Sequence, residues 1–116
     1  MALPLFKVEG DTLVLYRNPE MPEFEQVKQA LYALAGESQS QGAALDMSAL
    51  NGISSTTVGM TVAVHLRFAE AGKKLRIRLN PRLLKLFELT MLTDTLSLEM
   101  VGPDEEKESG PKAGRR

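Results

Sequence analysis

The chain contains no cysteine and no tryptophan, a single histidine, and only two tyrosines and four phenylalanines in 116 residues. Without cysteine there is neither a disulfide framework nor a thiolate metal site, which fits a reducing compartment. No 18-residue apolar run occurs, and the first 30 residues never join a basic segment to an uninterrupted apolar one. Neither a membrane span nor a secretory leader is therefore expected, and the protein reads as soluble and cytoplasmic. Also missing are a Walker loop, a G-x-G-x-x-G turn and any cluster with ligand spacing, so no cofactor and no metal are expected. The formal charge is −1, and no basic stripe carries interleaved aromatics, which argues against a nucleic-acid partner.

What is present fits one domain with one modest core. Leu3 to Val8 and Leu13 to Tyr16 are β-prone runs around Glu9-Gly10-Asp11, a hairpin pattern. Pro22 suits the first position of a helix, whose apolar stripe is Phe24, Val27, Leu31 and Leu34 and whose stop is Gly36. A polar connection, 37–42, leads to a strand at 43–48. After the central helix Gly72 closes the segment, and Leu75, Ile77 and Leu79 alternate with Lys74, Arg76 and Arg78. Asn80-Pro81 opens the last helix as cap and first residue, with Leu83, Leu86, Phe87 and Thr90 facing inward. At 96–101, Leu96, Leu98 and Met100 oppose Ser97, Glu99 and Val101. Strands buried on both faces would read as continuous apolar runs, so this alternation predicts a mixed sheet with helices mainly on one face. The order is β-β-α-β-α-β-α-β, an α/β fold with right-handed crossovers. Residues 102–116 carry four charges of each sign and no large apolar side chain, and are expected to be disordered.

Charge is polarised along the chain. Residues 1–66 hold three basic groups against seven acidic ones, whereas 67–101 hold seven basic against four acidic. Such asymmetry suits steering toward a charged protein partner.

The organising stretch is Leu45 to Gly59, LDMSALNGISSTTVG. Leu45 and Met47 point to one side of a strand, and Ala44, Asp46 and Ser48 to the other. Asp46 reads either as a strand-end hydrogen bonder or as a solvated residue of the open face. Asn51-Gly52 breaks the strand, and Ser54, Ser55, Thr56 and Thr57 stand where the central helix begins. Four hydroxyls are more than capping needs. The helix has an expected inward stripe of Val58, Val62, Leu66 and Ala69. Met60, Val64 and Phe68 form a second apolar line beside Arg67, either covered by a neighbouring helix or exposed as a partner surface. His65 is expected to be a partly buried structural imidazole. It lies ten residues from Ser55, about 15 Å along one helix, and cannot serve as its base. No enzyme is expected.

The stretch LDMSALNGISSTTVGMTV resembles the signature of STAS domains, the sulfate-transporter and anti-sigma-factor-antagonist family, L-D-L-S-x-V-x-F-I-D-S-S-G-L-G-x-L. The family's D-S-S-G falls on Ser54, Ser55, Thr56 and Thr57 without a gap. Asn80 to Leu92, NPRLLKLFELTML, is similar to the family's N/S-P-x-V-x-R-L-L-E-L-T-G-L segment. Two positions depart from the signature: Ser54 stands for the aspartate and Thr57 for the glycine. The family's G-x-L-D after the second strand is replaced by Arg17-Asn18-Pro19-Glu20, and its usual further C-terminal helix has no counterpart, so the resemblance is to a shortened form.

The resemblance implies a STAS-like single domain over 1–101, with a four- to five-stranded mixed sheet, and a non-catalytic signalling module. In anti-sigma-factor antagonists the serine after the motif's aspartate is phosphorylated by a partner kinase, which places the expected modification at Ser55, with Thr56 as the neighbouring candidate. The implied partner is a protein, an anti-sigma factor or related kinase, and a homodimer is left open. The partner-binding set is Ser54, Ser55, Thr56, Thr57, Met60, Val64 and Arg67. The alternative is an unmodified STAS-type scaffold or accessory subunit, as in stressosomes or lipid-transport complexes.

Overall fold

The computed structural model describes residues 4–36, 41–89 and 96–100. Strands β1 (Phe6–Glu9) and β2 (Thr12–Leu15) form the N-terminal hairpin, turning at Gly10 with φ +62°. A 3₁₀ turn at Met21–Glu23 leads into helix α1 (Phe24–Ala35). Then follow β3 (Gly42–Asp46), α2 (Ser55–Glu70), β4 (Lys74–Leu79), α3 (Pro81–Leu89) and β5 (Ser97–Met100). The expected element order is met. Pro22 sits in the 3₁₀ turn rather than at the head of α1, two residues before the α-helix begins. Leu3, Thr90, Val101 and the tail 102–116 lie outside the described residues.

The sheet runs β1-β2-β3-β4-β5, with β1 antiparallel to β2 and every later pair parallel. Successive parallel strands are laid down in one direction, so right-handed crossovers put every connecting helix on the same face. That face holds the core. Leu13, Leu15, Ala43, Leu45, Leu75, Ile77 and Leu79 of the sheet pack against Val27 and Leu31 of α1, Val64 and Phe68 of α2, and Leu83 and Phe87 of α3.

On the other face the charges pair. Arg76 Nη2 reaches Asp11 Oδ2 at 2.7 Å, Arg78 Nε lies 3.4 Å from Glu99 and Lys7 Nζ 2.7 Å from Glu9. Ala44 stands between Thr12 and Arg76 in register and is fully buried. Asp11 and Arg76 come from the acidic and basic parts of the sequence. The polarity of the chain is thus partly neutralised where the sheet brings its ends together.

Helix α2 corrects the expected stripe. Its buried residues are Thr57, Met60, Thr61, Val64 and Phe68, whereas Val58 and Val62 are half-buried and Leu66 is 53% exposed. Apolar residues fall at every second position from 58 to 68, a spacing that on a helix supplies apolar side chains to opposite faces. Periodicity alone could not choose between them. The face with Met60 and Phe68 offers the larger side chains to the sheet and to Tyr32 of α1, whose ring centroid lies 6.3 Å from that of Phe68. The two threonines on that face are buried at little cost because Thr57 Oγ1 lies 2.8 Å from Ser54 Oγ and Thr61 Oγ1 donates to Thr57 O at 2.9 Å.

Candidate functional site

Because β2, β3 and β4 are parallel, the segments that follow them, 16–23, 47–54 and Asn80, meet at one edge of the sheet. The middle segment carries the hydroxyl turn. Asp46 ends β3, and its Oδ1 accepts the backbone N–H of Ser48 at 2.9 Å and the Ser48 hydroxyl at 2.6 Å, an Asx-type bend. Asp46 is therefore a strand-end hydrogen bonder. The Leu50 N–H then closes a turn onto Met47 O at 3.1 Å.

Two asparagines from the flanking segments hold this loop. Asn80 Nδ2 donates to Ser48 O and to Leu50 O, both at 2.9 Å, while its Oδ1 accepts the Leu83 N–H at 2.9 Å and so caps α3. Asn18 Nδ2 donates to Gly52 O at 3.1 Å, and its Oδ1 accepts the Ser54 N–H at 3.0 Å. The segment that carries Asn18 is stapled in turn. Arg17 Nη1 and Nη2 meet the two carboxylate oxygens of Glu23 at 2.8 Å each, and Glu23 also accepts the Glu20 N–H at 2.8 Å. The Arg17 guanidinium, followed by that N–H, holds the Glu23 carboxyl down from 4.5 to about 2. Sequence reasoning named Asn80 only as a cap and gave Asn18 no role. The available signal was an asparagine just past the ends of two parallel strands, where backbone groups of the intervening loop need partners.

The four hydroxyls of the turn are sorted by this frame. Ser54 is the N-cap: its Oγ accepts the Thr57 N–H at 3.1 Å and lies 3.1 Å from Thr56 Oγ1, and its carbonyl accepts the Val58 N–H at 3.0 Å. Thr57 is fully buried. Thr56 is exposed but tied to Ser54. Ser55, the first residue of the helix, is exposed, and its hydroxyl makes no hydrogen bond within the described residues.

The expected partner-binding set therefore divides. Ser54, Ser55 and Thr56 lie together on the exposed turn. Thr57, Met60 and Val64 do not join them, because that side of α2 faces the sheet and α1; the exposed-surface reading of Met60 and Val64 is corrected to core. Arg67 is exposed, but twelve residues of helix, about 18 Å, separate it from Ser55. Its guanidinium lies 5.1 Å above the Tyr32 ring, and with Phe68 and Lys73 it lines an open cleft of about 340 Å³ at the opposite end of α2. His65 is half-buried on the flank of the helix. Among the described residues no group of three or more His, Cys, Asp or Glu could hold a metal ion, and no helix is long and apolar enough to cross a membrane.

No protein-family model matches the chain, and no curated protein matches it in sequence. Its backbone is similar to the crystal structure of a proposed anti-sigma factor antagonist from Thermotoga maritima, with a TM-score of 0.62 over 90% of this chain and 91% of that one, at 16% identity. With a five-stranded mixed sheet, three helices on one face and a hydroxyl-rich turn leading into the second helix, the chain has the STAS-like fold.

Proposed function

We propose that this chain is a non-catalytic regulatory module that docks a protein partner through the exposed turn at Ser54–Thr56, in the manner of an anti-sigma factor antagonist. Ser55 is the residue that a partner kinase would phosphorylate. The observation that supports this reading is the sorting of the hydroxyls: Ser54 and Thr57 are used by the fold, whereas Ser55 is presented outward with its oxygen free within the described residues. A phosphate there would add about −1.5 to −2 charges at a helix N-terminus, which favours anions. The helix would tolerate it, and the docking surface, uncharged at 51–59, would become negative.

The competing reading, an unmodified scaffold or accessory subunit, draws on Thr57. Where the resembled motif has glycine, this chain buries a threonine against its core, which narrows the turn a kinase would have to grip. Incubation with a cognate anti-sigma kinase and ATP, followed by mass mapping, separates the two. Phosphate on Ser55, together with weakening of partner binding in Ser55→Asp by about tenfold (1.4 kcal/mol) and full binding in Ser55→Ala, supports the switch. Equal affinities for wild type and both variants leave the scaffold.

A further inference from the structure

Ser54 and Ser55 are chemically identical N-caps, and Thr56 is a nearly equal third, so the local sequence leaves the first residue of α2 undecided. A start one residue later would move the Ser54 hydroxyl off the Thr57 N–H and the Thr57 hydroxyl, and would pass the Val58 N–H from Ser54 O to the Ser55 hydroxyl, which would turn inward to serve as the cap. We propose that Asn18 makes the choice. Its side-chain amide bonds Gly52 O and the Ser54 N–H together, at 3.1 and 3.0 Å, from a segment 36 positions earlier in the chain. This pins both sides of Ile53, whose side chain packs against the core. Ser54 thereby arrives at the cap position with φ −79° and ψ 157°, the extended geometry an N-cap needs. Asn18 is thus a positioning residue: it keeps Ser54 as the cap and Ser55 as the outward hydroxyl.

Residue-resolved amide exchange on the whole chain tests this without any partner. The ratio of Thr57 to Val62 exchange reports the cap at Ser54 against the helix interior. In Asn18→Ala the Thr57 amide should exchange about tenfold faster or more relative to Val62, because the Ser54 hydroxyl that accepts from it leaves the cap position, whereas the Val58 amide passes from Ser54 O to the Ser55 hydroxyl. In the double variant Asn18→Ala with Ser55→Ala the competing serine cap is gone, and the ratio should return toward wild type. A loss of packing alone would give no such rescue. An unchanged ratio in Asn18→Ala, or a double variant no better than the single, overturns the proposal. If Asn18→Ala does not fold, Asn18→Asp serves: it keeps an acceptor for the Ser54 N–H and lacks the donor to Gly52 O, so an intermediate ratio is expected, and a wild-type ratio overturns the proposal. The consequence for modification rests on reading Ser55 as the phosphate acceptor. Cap selection can fail while that reading stands, and the reverse, because exchange and phosphorylation are measured separately.

Discussion

At its C-terminal end α2 is stopped by its own neighbours in sequence. Gly72 takes φ +74°, its N–H bonds Ala69 O at 3.0 Å, and the Lys73 N–H bonds Phe68 O at 2.8 Å, which together form a Schellman stop. At its N-terminal end the helix and the loop leading to it are held from 30 or more residues away, by Asn18 and Asn80. One end is set by local backbone chemistry and the other by tertiary hydrogen bonds. The end that depends on the rest of the fold is the one that presents Ser55. A loop anchored by distant side chains is ordered only when the sheet and the helices are in place, so the presentation of the Ser55 hydroxyl at the start of a helix belongs to the folded state.

The severest way to break this contrast is to remove the face both ends share. Val64 is fully buried between the sheet and α1, and Val64→Asp would bury a carboxylate without a partner. We expect a loss of about 4 kcal/mol or more, a large share of a domain's stability, with urea unfolding as the measurement. Retention of a cooperative transition near wild type would return the line of Met60 and Val64 to the surface.

Asn80→Ala attacks the tertiary end. It removes the cap of α3 and leaves Ser48 O and Leu50 O without their donor, so a loss of about 2–3 kcal/mol is expected by chemical denaturation. Gly72→Ala attacks the local end. A Cβ there meets nothing within 4 Å, so only the left-handed backbone resists it, and about 1 kcal/mol should be lost. A larger loss from Gly72→Ala than from Asn80→Ala would reverse the comparison.

The smallest expected effect is a pH dependence of the segment that carries Asn18. The Glu23 carboxyl is depressed in the folded state, so its pairing with Arg17 stabilises fully above the ordinary carboxylate value of 4.5 and is lost as pH falls toward about 2. The difference in melting temperature between wild type and Glu23→Gln should therefore be constant near pH 7 and shrink between 4.5 and 2. A difference that does not change with pH would assign the effect of the substitution to packing.

The order of the elements, the hairpin at Gly10, the inward faces of α1, β4 and α3, and the uncovered face of the sheet were legible in the sequence, because each follows from a period of two or 3.6 residues or from a turn residue within reach of its own backbone. The start of α2 within Ser54–Thr57 was legible too, since hydroxyls in that place have few other uses. Which of the four would cap, which side of α2 would be buried, and what Asp46 and Asn18 would bond were not. Apolar residues at alternate positions put similar groups on opposite faces of α2, and adjacent serines are equally good caps by residue type, so neither choice can be read from the residue types alone. Both are decided by contacts that exist only after β2, β3 and β4 lie side by side: Tyr32 against Phe68, Asn80 on the loop at 48–50, and Asn18 on Gly52 and Ser54. Periodic and capping signals act over a few residues and can be read along the chain, whereas the presentation of Ser55 depends on partners 25 or more positions away on either side and is decided by the tertiary structure.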